Sequence, residues 1–331
     1  MHRPIEKTVR QEASDERGSG LVDFVLVGGQ KCGTTSLHDI LNRHPRVFMP
    51  ARETFLFDVD DLEQHPNFFI HTGDNWSCPD FDAEREAYLR WYRGFFAAAG
   101  PGQLLGEDST SYLASEKAPQ RIRELAPNAK ILVMLRDPAS RTYSHYWHML
   151  RNGWMTYGFE DSLQFTPGGL LKRSVYLPQV ERYLQCFPRE QIAFVVFEEF
   201  VREMPRVVEG VYGFLDLGAT RQPDKLATHR NPSLIPRFPR LCQWRNRLFR
   251  RHVLYRYSDV PGVRPPKEAI AGRLFRHAVD AIHRRVNPVR RRRPPPMRTE
   301  TRRSLNRYFA RENRGLSEVI GIDVHKWWYR E

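Results

Sequence analysis

Phe24-Val25-Leu26-Val27-Gly28-Gly29-Gln30-Lys31-Cys32-Gly33-Thr34-Thr35-Ser36 is the stretch around which the rest of the chain is organised. The mostly apolar, β-prone run from Val22 to Val27 reads as a short buried strand. Gly28 and Gly29 end it, and a hydroxyl-rich turn opens a helix with Leu37, Ile40 and Leu41 on one face. Strand, glycine loop and helix in that order make an anion site. Small residues let the backbone N–H groups of Lys31 to Ser36 approach a phosphate, the helix N-terminus adds partial positive charge, and the Thr34, Thr35 and Ser36 hydroxyls can donate as well. The loop differs from the standard nucleoside triphosphate loop, which ends Gly-Lys-Ser/Thr. Here Lys31 stands two residues before Gly33, in the loop rather than in the first helical turn, and no magnesium-binding Ser or Thr directly follows it.

At 331 residues the chain can bury one large core without disulfides. One α/β domain over residues 21–329 is expected. Cys32, Cys78, Cys186 and Cys242 are scattered without Cys-x-x-Cys spacing, so neither a zinc site nor a disulfide framework is indicated, and a reducing cytoplasm fits best. Met1 to Gly20 is polar and charged and reads as a disordered leader; no later segment approaches the apolar length of a membrane span. The net charge of +13 implies an anionic partner without choosing among a nucleotide, an acidic glycan, a lipid headgroup and nucleic acid.

His44-Pro45 stops the first helix, and Val47, Phe48 and Met49 read as a short strand. A strand parallel to the first would deliver Glu53 to the carboxyl edge of the sheet, beside the phosphate loop. Ala83 to Ala99 reads as a helix whose Tyr88, Trp91, Tyr92 and Phe95 belong to the core, and Leu104 onward as a strand ending in the polar turn Glu107-Asp108-Ser109. Lys130 to Leu135 has the pattern of a strand covered on both faces. It ends at Arg136-Asp137-Pro138, which sets a planar guanidinium at the strand's carboxyl end, and Ser144 can donate from the helix that follows. His145 and His148 lie three apart on that helix, where packing or surface roles are expected in the absence of a third ligand. A further helix (174–188), a strand (191–197) and an amphipathic helix (204–215) repeat the unit, which specifies a parallel sheet with helices on both faces. Residues 219–298, rich in Arg and Pro, read as a variable segment within the domain, either a solvated loop or linker or a cover over the acceptor cleft that attracts an anionic substrate.

Two of these motifs together, Lys31-x-Gly33-Thr34-Thr35-x-Leu37 and Arg136-Asp137-Pro138-x-x-Arg141-x-x-Ser144, resemble the 5′-phosphosulfate loop and the 3′-phosphate motif of sulfotransferases that use 3′-phosphoadenosine 5′-phosphosulfate (PAPS). The likeness is strongest to the heparan-sulfate-type and bacterial carbohydrate branch, and it runs over about residues 21 to 329, to Asp323 and Trp327-Trp328. The resemblance implies a P-loop-like three-layer α/β fold and PAPS as co-substrate with no metal. It further implies catalytic roles for Lys31 and Glu53, and donor contacts from Lys31, Gly33, Thr34, Thr35, Ser36, Arg136 and Ser144. In heparan-type enzymes His-Pro followed by Lys-Glu-x-x-Phe-Phe supplies the base. Glu53 falls on that glutamate, with Arg52 in place of the lysine. Those enzymes carry Glu-Lys-Ser where this chain has Glu107-Asp108-Ser109, which leaves Glu107 and Ser109 as candidates for the acceptor pocket. Thr228 to Ser233 stands where the family folds a basic loop over the nucleotide, and Arg230 is the candidate contact. The acceptor implied is a hydroxyl or amine of a carbohydrate, glycolipid or small metabolite. Two rivals stay open: a nucleotide kinase on the same sheet, which needs magnesium ligands beside the loop, and a non-catalytic module that binds acidic polymers through its arginines. A nucleic-acid partner is not expected, since no helix-turn-helix, zinc-finger or RNA-binding signature is visible.

Overall fold

A computed structural model describes residues 20–72, 75–218, 234–249, 260–263 and 270–329. Five parallel strands form the central sheet: β1 (Phe24–Gly28), β2 (Val47–Phe48), β3 (Leu104–Asp108), β4 (Lys130–Leu135) and β5 (Ile192–Val196), in the order β2-β3-β1-β4-β5. The strand pattern sets the layers. Phe24 and Leu26 point to one face with Leu132 and Met134, against Leu37, Ile40 and Leu41 of α1 (Thr34–Leu41) and Val208 and Val211 of a later helix (Met204–Phe214). Val25 and Val27 point to the other with Ile131 and Val133. There they meet α2 (Arg85–Gly94), α3 (Ala118–Leu125) and a helix over Leu177–Cys186 through Tyr88, Ile122, Val180 and Tyr183. Every residue of β1 is buried, as a strand sandwiched between helical layers requires. Gly106 of β3 is bare for a packing reason: a Cβ there would stand inside the ring of Phe24, its partner in register on β1.

The chain runs from β1 outward to β2 and β3 on one side and then crosses to β4 and β5 on the other. The carboxyl ends of β1 and β4 therefore flank the point where the strand order reverses, the crevice in which doubly wound sheets hold their ligands. α4 (Pro138–Arg151) leaves that point with Pro138 in its first turn and the Asp137 carboxylate accepting from the Ser140 N–H at 2.8 Å, a side-chain N-cap.

Several bounds tighten on those the sequence predicts. The aromatic helix covers Arg85–Gly94 rather than 83–99. Tyr88 and Tyr92 are buried in the core as expected, while Trp91 and Phe95 are half-buried and carry the Arg52 guanidinium over their rings at 6.0 and 5.0 Å. The larger correction is in residues 219–298. Their described part is not a solvated loop: it holds α5 (Pro239–Leu248), α6 (Ile270–Val286) and an antiparallel ribbon of Leu234–Pro236 with Val289–Arg291, all on the α4 side of the molecule. Arg and Pro content concealed them, because the arginines line helices instead of interrupting them. Residues 1–19 of the leader and the Thr228–Ser233 segment with Arg230 lie outside the described residues.

Candidate active site

The glycine loop crosses the carboxyl end of β1 with two residues in the left-handed region, Lys31 at φ 69° and Gly33 at φ 95°. Gly33 is held to glycine twice over, since a Cβ would also come within 2.6 Å of the Phe197 ring. Among the described residues the N–H groups of Lys31, Gly33, Thr34 and Thr35 have no backbone acceptor. They stand at the start of α1, where the helix dipole is positive. Thr34 is buried, Ser36 half-buried and Thr35 exposed.

Arg136 follows β4 directly and its Nη1 donates to the Lys31 carbonyl oxygen at 3.0 Å. The guanidinium lies 4.7 Å over the Phe197 ring, and among the described residues its buried Nε has no partner. The two phosphate motifs, 105 residues apart in sequence, thus touch. Asp137 is committed elsewhere, to its cap and to Arg302 at 3.0 Å, and does not neutralise Arg136. Ser144 sits further along α4, half-buried. Arg141, fully buried, donates to the Ser174 hydroxyl and the Leu170 carbonyl, while its Nη1 has no partner among the described residues. Burial pushes it down to about 10. Lys31 is likewise brought down to about 8, by burial first and then by the positive charges of Arg151 and Arg136. Glu198 is the carboxylate beside this cluster, and the Arg136 charge works against the burial that raises its pKa; the cations still outnumber it, which suits an anion site. It fits a ligand with two separate phosphate groups, one at the loop and one at the strand end. Tyr176 braces this corner, its hydroxyl donating to the Arg136 carbonyl at 2.9 Å.

On the other side of β1, Glu53 follows β2. Its Oε1 accepts from the Thr110 N–H at 2.9 Å and the Thr110 hydroxyl at 2.6 Å, which fixes the carboxylate at the mouth of the crevice. Burial raises its pKa against the lowering effect of those two bonds, a shift that makes it a stronger base. The expectation for Glu107 and Ser109 is not met. Both are completely buried beneath the crevice. Glu107 accepts from the hydroxyls of Tyr92 and Tyr112 at 2.6 Å each, from Ser109 at 2.9 Å and from Thr54, while the Ser109 hydroxyl accepts from the Thr54 and Phe55 N–H groups at 3.2 and 3.0 Å. The pair is a girder that holds the segment after Glu53 and contributes no surface to a pocket.

Three partners escaped sequence reasoning. Asp108, which stands where the resembling enzymes have lysine, binds His38 Nδ1 of α1 at 2.8 Å. Burial lowers the His38 pKa, yet the Asp108 bond and charge outweigh it and the net shift is upward. His65 binds the buried Asp58 at 2.8 Å. Arg173 joins the two halves of the crevice, donating to the Gln30 side chain at 2.8 Å and the Gln64 carbonyl at 3.4 Å. A lone histidine on a helix face and an isolated arginine carry no local pattern, so no sequence signal marked them. His145 is buried and stacked on His148, in a packing role, and among the described residues no cluster of His, Cys, Asp and Glu could hold a metal ion.

A parallel α/β sheet with a glycine loop and a second guanidinium corner at its switch point is the arrangement of doubly wound folds that hold anionic ligands. The sequence profile of the sulfotransferase family matches residues 23–221, and the chain belongs to that family. It is 27% identical over 205 residues to heparan sulfate glucosamine 3-O-sulfotransferase 5 of Mus musculus, a match covering 58% of this chain and 53% of the relative. It is 28% identical over 212 residues to bifunctional heparan sulfate N-deacetylase/N-sulfotransferase 2 of Homo sapiens, covering 60% of this chain and 22% of that one. The chain thus spans about half the length, or less, of these curated relatives. A solved sulfotransferase from Alicyclobacillus acidocaldarius shares the fold, with a TM-score of 0.62 and 24% identity over 92% of this chain and 98% of that one.

Proposed function

We propose that this protein transfers a sulfuryl group from PAPS to a hydroxyl of a carbohydrate, glycolipid or small-metabolite acceptor. The observation that carries the proposal is the contact of Arg136 with the Lys31 carbonyl, which sets two phosphate-binding corners side by side with Glu53 across β1. The loop amides, Lys31 and the helix-start hydroxyls take the 5′ end, and Arg136 and Ser144 take the 3′-phosphate; Arg230 remains a candidate for the same task. PAPS supplies the sulfuryl group. Glu53 receives the acceptor's hydroxyl proton as the new oxygen–sulfur bond forms, and Lys31 stabilises the negative charge that collects on the phosphate oxygen as the old bond breaks. General base catalysis contributes about 10² to 10⁴-fold, and a charge aimed at the leaving oxygen about 10² to 10³-fold. Kinship with enzymes named for heparan sulfate favours a sugar acceptor, while Asp108, paired to His38 in place of a lysine, argues against heparan itself. All four thiols are free, which suits a reducing compartment such as the cytoplasm.

Radiolabelled PAPS is incubated with the protein and a fractionated extract of its host. Label transfer is expected, and 3′-phosphoadenosine 5′-phosphate (PAP) should raise the melting temperature. Glu53→Gln should lose at least about 100-fold in transfer yet keep the PAP-induced shift. Transfer by Glu53→Gln at the wild-type rate would remove Glu53 from the mechanism, and a melting temperature unmoved by PAP would remove the donor.

A further inference from the structure

α6 is seated the wrong way round for a surface helix. Its polar row faces the protein: Arg276, Asp280 and His283 are half-buried, and Asp280 accepts from Arg245 of α5 at 2.7 and 2.9 Å. Asn287, just past its end, exchanges hydrogen bonds of 2.7 and 3.0 Å with the Phe238 backbone. The opposite row is apolar and open to solvent, with Ile270 68%, Leu274 63%, Phe275 59%, Ile282 64% and Val286 50% exposed. An amphipathic helix ordinarily buries that row. Contiguous apolar surface of this kind marks an interaction site.

Charge identifies the occupant. Residues 270–298 contain nine arginines and one acid, Asp280, which Arg245 already neutralises. Arg273, Arg284, Arg285 and Arg290 to Arg293 are exposed around the apolar row. A second copy of this chain would set arginines against arginines. A nucleic acid or acidic glycan would satisfy the charge and leave the apolar row in water. A bilayer with acidic headgroups satisfies both, since it takes apolar side chains at the headgroup boundary and cations at its surface. We propose that the outward face of α6 docks this protein on an anionic lipid bilayer, lying in the interface without crossing it. No described helix is long and apolar enough to cross a membrane.

The test is flotation of the full chain with vesicles of phosphatidylcholine alone and of phosphatidylcholine mixed with phosphatidylglycerol. The protein should float with the mixed vesicles, remain behind with the neutral ones, and release steeply as salt is raised. The double variant Leu274→Glu, Ile282→Glu changes two exposed side chains. Its melting temperature by circular dichroism should match the wild type while its affinity for the mixed vesicles falls at least about 10-fold. Three results would overturn the proposal: no flotation at low salt, flotation of the double variant equal to wild type, or a concentration-dependent dimer in sedimentation velocity that the double variant abolishes. None of these readouts involves sulfuryl transfer, so membrane docking and the proposed activity fail separately.

Discussion

The donor corner and the acceptor wall of the crevice are built on opposite electrostatic plans. Around the glycine loop the cations outnumber their partners: Lys31, Arg136 and Arg141 crowd together, Arg141 is fully buried, and two guanidinium nitrogens have no acceptor among the described residues. Across β1 the carboxylates are paired, with one buried Asp58 oxygen as the exception among the described residues. Glu107 takes four hydroxyls, Asp108 takes His38, Asp58 takes His65 and Glu53 takes Thr110. One region holds unfavourable charge in readiness for a ligand, and the other uses polar groups as internal framework. Substitutions should therefore separate cleanly, with losses of binding on the donor side and losses of stability on the acceptor side.

The largest effect is expected at Glu107. Glu107→Ala leaves the Tyr92, Tyr112, Thr54 and Ser109 hydroxyls without their acceptor in a site closed to water, and should cost about 3 to 5 kcal/mol of folding stability, read from the urea midpoint. A midpoint equal to the wild type would show that the network is dispensable and would break the contrast. Arg136→Ala should act in the opposite manner, since it removes an unneutralised cation and spares the core. Folding stability should hold, while the KM for PAPS rises by about 10- to 100-fold, the worth of about 1.5 to 3 kcal/mol for hydrogen bonds to a charged group. Discrimination between PAP and adenosine 5′-phosphate, which lacks the 3′-phosphate, should fall by the same factor. Unchanged discrimination would mean that Arg136 only props the loop through the Lys31 carbonyl.

The same division explains what could be read from the sequence. The donor corner is written in short, contiguous motifs, because a strand, a turn and a helix N-terminus form the site from neighbouring residues. β4 runs from Lys130 to Leu135 as its apolar pattern requires, and Arg136 emerges where that pattern stops. The acceptor wall depends on partners far apart in the chain, such as His38 with Asp108, 70 residues on, and Tyr92 with Glu107, 15 residues on. A carboxylate beside a serine looks the same in a pocket as in a girder; only burial distinguishes them. In α6 the helical spacing of Ile270, Leu274 and Ile282 was present but was outweighed by arginine content, and the outward turn of its apolar row follows from Arg245 and Asp280, a tertiary pair.

The smallest effect is the sharpest test of the donor corner. Lys31 in the free protein titrates near 8 because burial, Arg151 and Arg136 all disfavour its charge. A bound polyanion favours the charged form and moves the pKa back up. Between about pH 7 and 8 the PAP phosphates are ionised and Lys31 is mostly protonated, so PAP affinity should change little; above pH 8 the free protein must take up a proton to bind, so affinity should fall by up to about 10-fold per pH unit. Two other groups near Lys31 stay out of this window, since burial raises Cys32 to about 11 and drives His145 far below its usual range, and Arg141, lowered to about 10, enters only above it, so the profile is read between pH 8 and 9. Calorimetric titration at pH 9 in buffers of different ionisation heat should register the proton taken up. Lys31→Arg, charged at every pH in the range, should flatten the profile and abolish the uptake. A wild-type profile flat from pH 8 to 9 would mean that the cations at this corner do not feel one another, and the contrast between its two walls would lose its physical basis.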